Sequence, residues 1–374
     1  MPVRATKRGA ERSPLSGSPD VIVCGASFAG LAVARELVSC GADVLVLDRY
    51  EIGERQTSAC AAPTAWIEAL GLGRTVRQTF GSIVVHLPAE TLRWELPWTF
   101  STFDYRALCE GLWEQCGPAR FDTAVVTGRR DGDGEALVVE TDRGPLASRL
   151  VVDALGWRRV LGTGRRAIQP PKATLSRGLE VHPPGSGEDL ELWLDPAYVR
   201  RGYAWSFPAG DEVRVGIGSF DPRDHVREPT VRLAHDLGRE ATGYQGNWIP
   251  HRMRAPTGGG VFFAGDSAGH CLPATAEGIR PALYFGGICG RELRLVLEGR
   301  QSRGQALERY AAACEDKRYA FERMLLAQRF VGRANPHPLL ATVLRATSSP
   351  RVVRRAWARY GALCPPPVTS APAR

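Results

Sequence analysis

The pattern of apolar and polar residues is clearest between positions 19 and 50. A short apolar run at 21–23 leads into a glycine-bearing turn, apolar residues at helical spacing follow, and a second apolar run at 44–47 ends in Asp48. Short apolar runs bounded by turns are typical of buried strands, and the segment between them has the period of a helix. The sequence therefore predicts a parallel strand-helix-strand unit here.

Elsewhere, apolar runs and alternation predict further strands. They are 82–87, 91–96, 124–126, 136–140, 149–152, 174–181, 190–194, 203–207, 212–217 and 261–264. Those between 174 and 217 are broken by a Pro-Pro-Gly turn at 183–185 and an Ala-Gly-Asp turn at 209–211, which is typical of an antiparallel sheet. Apolar residues at helical spacing predict helices that follow Pro63 and Phe103, and others over 279–297, 307–330 and 351–363.

This order of elements predicts an α/β fold in which an antiparallel β-sheet domain is inserted into a Rossmann-like nucleotide-binding domain. The predicted nucleotide-binding domain is discontinuous and comprises residues 20–80, 101–170 and 250–300. The inserted substrate domain comprises 81–100 and 171–249, and C-terminal helices occupy 301–364. Residues 1–19 and 365–374 are expected to be disordered.

The turn of the first unit has the chemistry of a dinucleotide site. Gly25 and Gly30 fill two of three glycine positions, Ser27 stands at the other, and Asp48 ends the second strand. A pyrophosphate must approach the amide groups at a helix N-terminus, so bulky side chains are excluded from such a turn, and the terminal carboxylate accepts a hydrogen bond from a ribose hydroxyl. We therefore predict a nucleotide site rather than an ordinary strand-turn-helix.

The composition excludes several other classes of protein. The chain has 374 residues, 44% of them hydrophobic, which is enough for one large or two medium cores. No apolar run approaches the ~20 residues that span a bilayer, and the first 19 residues lack the apolar segment of a secretory signal, so we expect a cytoplasmic protein. The nine cysteines show no metal-ligand spacing, so no metal site is expected.

The net charge of +8 is concentrated at the C-terminal end. Residues 1–322 hold 39 basic and 40 acidic side chains, whereas residues 323–374 hold nine arginines and no acid. No basic stripe interleaved with aromatics indicates nucleic-acid binding. At helical spacing, the residues of 351–363 separate into two faces. One face collects Val352, Val353, Ala356, Trp357, Tyr360 and Leu363, and the other largely Arg351, Arg354, Arg355 and Arg359.

Two interpretations of this basic amphipathic helix remain open. Its arginines can bind an anionic membrane surface as a peripheral contact. Alternatively, its apolar face packs on the nucleotide-binding domain and the arginines are simply solvated, as in most amphipathic helices of globular proteins.

The strand at 203–207 has aromatic residues at alternate positions. Tyr203, Trp205 and Phe207 share one face of the strand, because successive side chains point to opposite sides of a sheet. A buried phenol and indole each need a polar partner, which a ligand cavity supplies more readily than a dry core. We therefore interpret this face as the wall of a pocket for an apolar substrate, with a hydrophobic core strand as the alternative.

Several motifs together resemble a known superfamily. They are the 25–48 unit, the strand-glycine motif VDALG at 152–156, the AGDSAGH motif at 264–270, and Arg106 in YRALC at 105–109. This combination resembles the FAD-dependent oxidoreductases of the glutathione-reductase-like superfamily, in the branch that holds the geranylgeranyl reductases and aromatic hydroxylases. The YAWSFP run at 203–208, followed by Gly216-Ile217-Gly218, is similar to the YxWxFP and GxG signature of the geranylgeranyl reductases. Two departures are Ser27 and Leu155, and the latter leaves the use of a nicotinamide donor open.

The resemblance implies FAD as cofactor and assigns roles to individual residues. The cofactor-binding residues that it implies are Gly25, Ser27, Ala29, Gly30, Asp48, Arg49, Arg106, Asp266, Gly278 and Ile279. Cys60, Tyr203 and Trp205 are the implied catalytic residues, with Cys60 and Tyr203 as candidate proton donors, and Tyr203, Trp205 and Phe207 are the implied substrate-binding residues. His270 is expected to be a structural hydrogen-bonding residue, because a lone histidine beside a cofactor loop more often has that role.

The expected activity is an FAD-dependent reduction of C=C bonds in a prenyl or similar apolar substrate, with NAD(P)H or another external reductant as electron donor. The alternative is an FAD-dependent monooxygenase acting on an aromatic or polyketide-like molecule, since a fold does not fix a function. Halogenases of this fold need a lysine near the first nucleotide unit, and the chain has none between Lys7 and Lys172, so a halogenase is disfavoured. A non-catalytic carrier of prenyl lipids is disfavoured by the intact FAD motifs.

Overall fold

A computed structural model of the chain describes residues 12–56, 58–162, 175–334 and 338–367. Most of the two ends that were expected to be disordered, together with Lys172, Thr174 and the predicted domain boundary at 170–171, lie outside the described residues. The strands are β1 Val21–Cys24, β2 Val44–Asp48, β3 Ala61–Pro63, β4 Val76–Leu87, β5 Glu90–Phe103, β6 Arg120–Thr123, β7 Val126–Asp131, β8 Leu137–Thr141, β9 Leu146–Ser148, β10 Leu150–Asp153, β11 Leu175–Val181, β12 Leu190–Trp193, β13 Gly202–Ala209, β14 Glu212–Ser219, β15 Gln245–Pro250, β16 Thr257–Gly258 and β17 Val261–Phe263. The helices are α1 Phe28–Arg35, α2 Thr64–Ala69, α3 Tyr105–Glu114, α4 Arg227–Asp236, α5 Ile279–Leu297, α6 Arg303–Ala334, α7 Pro338–Thr347 and α8 Pro350–Ala362.

The first layer is a six-stranded sheet in the order β16-β17-β10-β1-β2-β6. Strands β17, β10, β1, β2 and β6 pair in parallel, and the edge strand β16 is antiparallel to β17. The residues of β1 are fully buried, as expected for a central parallel strand that is covered on both faces. This arrangement confirms the predicted Rossmann-like α/β fold. It also brings the C-terminal ends of β1, β2 and β10 together, which is the edge where such sheets bind ligands.

The second layer is an eight-stranded sheet in the order β15-β11-β14-β13-β12-β4-β5-β3. Apart from the parallel β12–β4 pair, its neighbouring strands are antiparallel. The sheet collects β3, β4 and β5 from before residue 104 and the rest from after residue 174. It therefore extends beyond the predicted 81–100 segment at both ends.

The sequence pattern placed some elements imprecisely and missed others. The strand expected at 124–126 is instead two strands, β6 and β7, with Ala124 and Val125 between them. The pair expected at 82–87 and 91–96 runs over 76–87 and 90–103, since polar residues at its ends hide the alternation. Helices α4 and α7 were not predicted.

The C-terminal helices connect the two layers. α5 and α6 pack on the nucleotide-binding side, where Phe285, Tyr310 and Phe321 join its core. Ala341 and Leu344 of α7 and Trp357 of α8 pack against the cluster formed by β4 and β12 of the second sheet. α8 is thus held by its apolar side, with Val353 buried and Val352 and Ala356 exposed. This is the packing interpretation of the amphipathic helix, although two of the residues assigned to its apolar face point outward.

Candidate active site

A large cavity of about 960 Å³ lies between the two sheets. One part of its wall comes from the dinucleotide turn and the ends of β2 and β10, and the other part comes from the face of the eight-stranded sheet. Its size is at the upper end of the usual range for small-molecule sites. The cavity therefore has room for a dinucleotide cofactor and a substrate side by side.

The glycine turn after β1 has no space for a side chain at either of its two glycines. Gly25 has a φ of +115°, and a Cβ there would lie 2.3 Å from the carbonyl oxygen of Ala154. A Cβ on Gly30 would lie 1.8 Å from the carbonyl oxygen of Gly25. Helix α1 begins directly after this turn, and Ser27 and Ala29 line the cavity. Its first turn holds no acidic residue and Ser27 makes no side-chain cap, so its amide groups can bind an anion.

Asp48, at the end of β2, stabilises this turn by hydrogen bonds. Its Oδ2 accepts a hydrogen bond from the Ala26 amide at 2.8 Å, and its Oδ1 accepts one from the Tyr50 amide at 3.1 Å. Burial raises the pKa of the carboxyl group, and these two amides oppose the increase. Asp48 also lines the cavity. Each carboxylate oxygen keeps a lone pair with which to accept a hydrogen bond from a ribose hydroxyl.

Arginines gather at the same end of the cavity. Arg49 is exposed, and its pKa is lowered by partial desolvation and, to a smaller extent, by the nearby Arg55. Arg49, Arg55 and Arg158 all line the cavity, whereas Arg106 is exposed at the start of α3 and does not. Arginines other than Arg106 therefore place positive charge at this end of the cavity. The role of Arg106 stays a prediction.

Asp266 follows β17 and faces the cavity from the second motif. Burial raises the pKa of its carboxyl group to about 6, and Arg254 partly offsets this. Among the described residues its carboxylate has no hydrogen-bond donor, which leaves it available to ligand hydroxyl groups. The loop that carries it is tied to the middle motif, because Ser267 donates a hydrogen bond to Asp153 Oδ1 at 2.6 Å.

The segment from Cys271 to Gly278 forms the floor of the cavity beside the N-terminus of α5. Gly278 is the N-cap residue of α5 and Ile279 is its first residue, and both line the cavity. Ala274 and Ala276 have φ values of +67° and +52°. Such strain in non-glycine residues persists only where the surroundings hold it and is concentrated at functional sites. The positive end of the α5 dipole thus faces the space next to Asp266.

The aromatic wall predicted on β13 is formed. Tyr203, Trp205 and Phe207 all line the cavity, and the ring centroids of neighbouring members lie 5.9 Å and 6.5 Å apart. The Tyr203 hydroxyl donates a hydrogen bond to the carbonyl oxygen of Thr275 at 2.5 Å, and burial raises its pKa. The indole of Trp205 lies over Gly216, where a Cβ would be 2.3 Å from the ring. The glycine of the GxG motif therefore makes room for the tryptophan of the YxWxFP motif.

Cys60 lies against the same wall. It is fully buried, lines the cavity and has a φ of +54°. Its thiol donates a hydrogen bond to the Ser58 carbonyl oxygen at 3.1 Å, and burial raises the thiol pKa well above its usual value. The catalytic role that the resemblance implies for Cys60 stays a prediction. The raised pKa means that the group is held as a thiol, not a thiolate.

His270 does not line the cavity. Its ring stacks on Phe285 with the centroids 4.0 Å apart, and its Nε2 lies 3.6 Å from the Cys314 sulfur. Burial lowers the histidine pKa to about 3, so the ring is neutral. This environment supports the expected structural role.

Sequence reasoning missed two polar groups on the cavity wall. Glu180 of β11 accepts a hydrogen bond from the Trp205 indole at 3.2 Å. Tyr360 of α8 donates a short hydrogen bond to Glu277, which also forms a buried ion pair with Arg280. Neither group belongs to a recognisable motif. Alternation of Glu180 with apolar neighbours on a buried strand was the one available signal.

The residues present fit FAD. The turn excludes a Cβ at Gly25 and Gly30, the first turn of α1 presents amide groups to a pyrophosphate, and Asp48 and Asp266 present carboxylates to hydroxyl groups. The N-terminus of α5 suits a negative charge on the ring system of a reduced flavin.

The comparisons with known proteins agree with this fit, although no known family profile matches the chain. Digeranylgeranylglycerophospholipid reductase 3 of Methanosphaera stadtmanae is 24% identical over 328 residues, which cover 78% of this chain and 81% of that protein. The menaquinone reductase of Mycolicibacterium smegmatis is 27% identical over 308 residues, covering 71% and 74%.

Solved structures show the same fold. A geranylgeranyl bacteriochlorophyll reductase-like protein of Thermoplasma acidophilum superposes with a TM-score of 0.75 at 16% identity, covering 84% of this chain and 88% of that one. The p-nitrophenol 4-monooxygenase of Pseudomonas putida superposes with a TM-score of 0.72 at 18% identity, covering 95% and 100%.

The fold and the dinucleotide turn define an oxidoreductase with an FAD-binding domain. Within that class, the named relatives support an enzyme of the geranylgeranyl reductase type. The expected fold, enzyme class and resemblance are thereby confirmed. The individual site residues and the domain boundaries stay predictions.

Proposed function

We propose that this enzyme reduces C=C bonds of a prenyl or similar apolar substrate with FAD, which NAD(P)H or another external donor keeps reduced. The observation that carries the proposal is the continuity of one cavity from the dinucleotide turn to an apolar wall. Beyond the aromatic residues of β13, that wall consists of side chains from β4, β5 and β12. They are Ile83, Val85, Trp94, Phe100, Leu190 and Leu192, and Leu194 directly after β12 also lines the cavity.

In this reaction the residues of the chain bind the substrate, exclude water and supply a proton. When bound, reduced FAD supplies a hydrogen with two electrons to one carbon of the alkene. The aliphatic side chains of β4 and β12 bury the substrate chain and exclude water, and Trp205 and Phe207 position it along the wall. The second carbon needs a proton from a group on this wall.

The test is an anaerobic single turnover. The holoenzyme is reduced with dithionite and mixed with geranylgeranyl diphosphate, and the return of the oxidised flavin spectrum is followed while the product is analysed by mass spectrometry. The proposal expects oxidation of the flavin without oxygen and a product heavier by two hydrogens for each bond reduced. A flavin that stays reduced with the isoprenoid, together with an oxygenated product once oxygen and an aromatic substrate are supplied, would support the second candidate instead.

That second candidate is an FAD monooxygenase, which is favoured by the full-length likeness of the chain to p-nitrophenol 4-monooxygenase. The two proteins share a fold, and the same arrangement of FAD and substrate domains serves both chemistries. The aliphatic wall favours the reductase, because a small polar aromatic leaves most of it without a partner.

We also propose a peripheral contact of the enzyme with an anionic membrane surface through the arginines of α8. Arg351, Arg354, Arg355 and Arg359 are all exposed, while the opposite side of the helix packs on the protein. An apolar lipid substrate must be taken from a membrane, and the charge of residues 323–374 suits an anionic leaflet. Among the described residues, none of the helices is both long and apolar enough to cross a bilayer.

A further inference from the structure

A buried cluster of charged residues lies behind the aromatic wall, where neither the FAD site nor the apolar lining requires it. Glu180 is 4% exposed and His182 follows it two residues later, so both side chains are on one face of the chain. Glu180 Oε1 lies 2.9 Å from His182 Nε2. The other oxygen of Glu180 accepts the indole hydrogen of Trp205. Glu180 also lines the cavity, so the Glu180–His182 pair reaches the proposed substrate site through Glu180.

The cluster extends from the cavity toward the surface. His182 Nδ1 lies 3.9 Å from Glu212 Oε2, just beyond hydrogen-bond distance. Glu212 is at the start of β14, and about a third of its side chain is exposed (32%). The Glu180 and His182 side chains, in contrast, are 5% and 8% exposed. An imidazole can take up a proton at one nitrogen and release one at the other. The three groups therefore stand in succession between solvent and the cavity.

Charged and polar groups on neighbouring elements surround this route. The groups that face it from neighbouring elements are Cys60 before β3, Trp205 of β13, and Arg214 and Glu212 of β14. Arg214 is buried and binds Glu212 Oε1 at 2.8 Å and 2.9 Å, so its charge neutralises that carboxylate. A glutamate and a histidine that share one acidic proton carry no net charge, whichever of the two groups holds it. A buried neutral pair avoids the cost of an uncompensated charge.

We propose that Glu180 delivers the proton that completes reduction of the substrate double bond, and that His182 and Glu212 return a proton to it from solvent. The proposal rests on the proposed reductase function. In the balanced step the π bond is replaced by two C–H bonds. One new bond takes a hydrogen and two electrons from the reduced flavin, and the other takes the proton of the Glu180 carboxyl group. The alkene is reduced and the flavin is oxidised.

The two donors implied by the family resemblance are engaged differently. The Tyr203 hydroxyl hydrogen is already donated to the Thr275 carbonyl oxygen, and the Cys60 thiol is donated to the Ser58 carbonyl oxygen. In contrast, Glu180 has no backbone carbonyl as partner in the described part of the chain: its oxygens face the Trp205 indole and the His182 imidazole. Carboxyl and imidazole groups are common general acids.

The same sheet carries a matched control. His86 Nε2 lies 3.7 Å from Glu191 Oε1, which is a second histidine–glutamate pair on neighbouring strands, and neither residue lines the cavity. Glu180→Gln and Glu191→Gln therefore remove the same charge from the same sheet, but only the first removes a proton donor from the site.

The experiment is the anaerobic oxidation of the dithionite-reduced holoenzyme by geranylgeranyl diphosphate, in H2O and in D2O. Glu180→Gln should slow flavin oxidation about 100-fold or more and lose the solvent isotope effect of the wild type, while Glu191→Gln behaves as wild type. His182→Ala should be slowed less and be partly restored by added imidazole, which no structural role of His182 predicts. The flavin spectrum and melting temperature of each variant are compared with those of the wild type.

The outcomes separate the two proposals. If the wild type itself is not oxidised by the isoprenoid, the reductase function fails and the proton route fails with it. If the wild type is oxidised and Glu180→Gln is oxidised as fast as Glu191→Gln, the proton route is wrong and the reductase function stands. If Glu180→Gln does not fold, His182→Ala decides the matter, and a rate that imidazole leaves unchanged overturns the proposal.

Discussion

At the scale of single residues, the site depends on positions that have no space for a side chain and on a carboxylate to which no described residue donates a hydrogen bond. Gly25 and Gly30 are required because a Cβ would enter the backbone of the next segment. Asp266 faces the cavity without a hydrogen-bond donor among the described residues, so its carboxylate is destabilised until a ligand arrives. A binding residue of this kind stabilises the complex at the expense of the free protein.

This leads to a prediction for Asp266→Asn. The substitution should weaken FAD binding about tenfold or more, because a charge-assisted hydrogen bond contributes roughly 1.5–3 kcal/mol. The same substitution should stabilise the apoprotein at pH 7. The folded pKa of about 6 is above the ordinary value of 3.8. The contribution of this carboxyl group to the free energy of unfolding is therefore fully present below about pH 3.8. It is lost as the pH rises through 6, and asparagine, which does not ionise, avoids that loss.

Equilibrium titration with FAD and urea unfolding of the apoprotein at pH 4 and pH 7 measure both effects. Asp133→Asn, in an exposed turn between β7 and β8, is the control. Unchanged FAD affinity, or an apoprotein of Asp266→Asn that is less stable than the wild type at pH 7, would contradict the assignment.

At the scale of elements, the C-terminal helix completes the site. The guanidinium of Arg280 in α5 pairs with Glu277, stacks over the ring of Tyr360 with 4.6 Å between its carbon and the ring centroid, and donates to the carbonyl oxygens of Tyr360 and Gly361. Trp66 of α2 donates to the Cys364 carbonyl oxygen at 2.9 Å. α8 is therefore bound to the 271–278 segment that forms the floor of the cavity, and it is an integral part of the fold.

We expect Arg280→Met to destabilise the protein by roughly 3–5 kcal/mol, because it leaves Glu277 as a buried and unpaired charge. Arg291→Met, at an exposed position of the same helix, removes only a surface ion pair with Glu36 and should cost less than about 1 kcal/mol. Urea unfolding of both variants measures the difference. Equal losses of stability would mean that the Arg280 cluster does not hold α8 in place.

At the scale of the whole molecule, the excess positive charge lies away from the cavity. The cavity lies between the two sheets, whereas the excess of arginine is on the outer side of α6 to α8. Truncation of α8 would open the cavity wall formed by Trp357 and Tyr360, so it cannot test a membrane contact cleanly. Substitution of the exposed arginines leaves the packed side of the helix intact.

The proposed membrane contact predicts a salt-sensitive loss of binding when Arg351, Arg354, Arg355 and Arg359 are all changed to Gln. Each arginine near an anionic leaflet contributes about 1 kcal/mol, so co-sedimentation with liposomes rich in phosphatidylserine should fall more than tenfold. A control with the same change of charge replaces Arg120, Arg130, Arg149 and Arg300, which are exposed on the nucleotide-binding side. Equal pelleting of the two variants would leave the arginines of α8 as solvated surface residues.

The sequence by itself determined the features whose contacts are local. The strand-turn-helix of 21–48 was readable because the apolar runs, the glycines and Asp48 all lie within one short segment, and the same is true of the aromatic alternation at 203–207 and of helix α5. The family resemblance rested on these segments, and the comparisons confirmed it.

Only the tertiary structure decided which distant residues share the cavity. Glu180 meets Trp205 because β11 and β13 both pair with β14, and Tyr360 meets Glu277 because α8 folds back over a loop more than 80 positions earlier. The amphipathic pattern of α8 fitted a membrane surface and a protein surface equally well. Periodicity reports that one face is apolar, but what covers that face depends on chain-distant packing, which no local pattern contains.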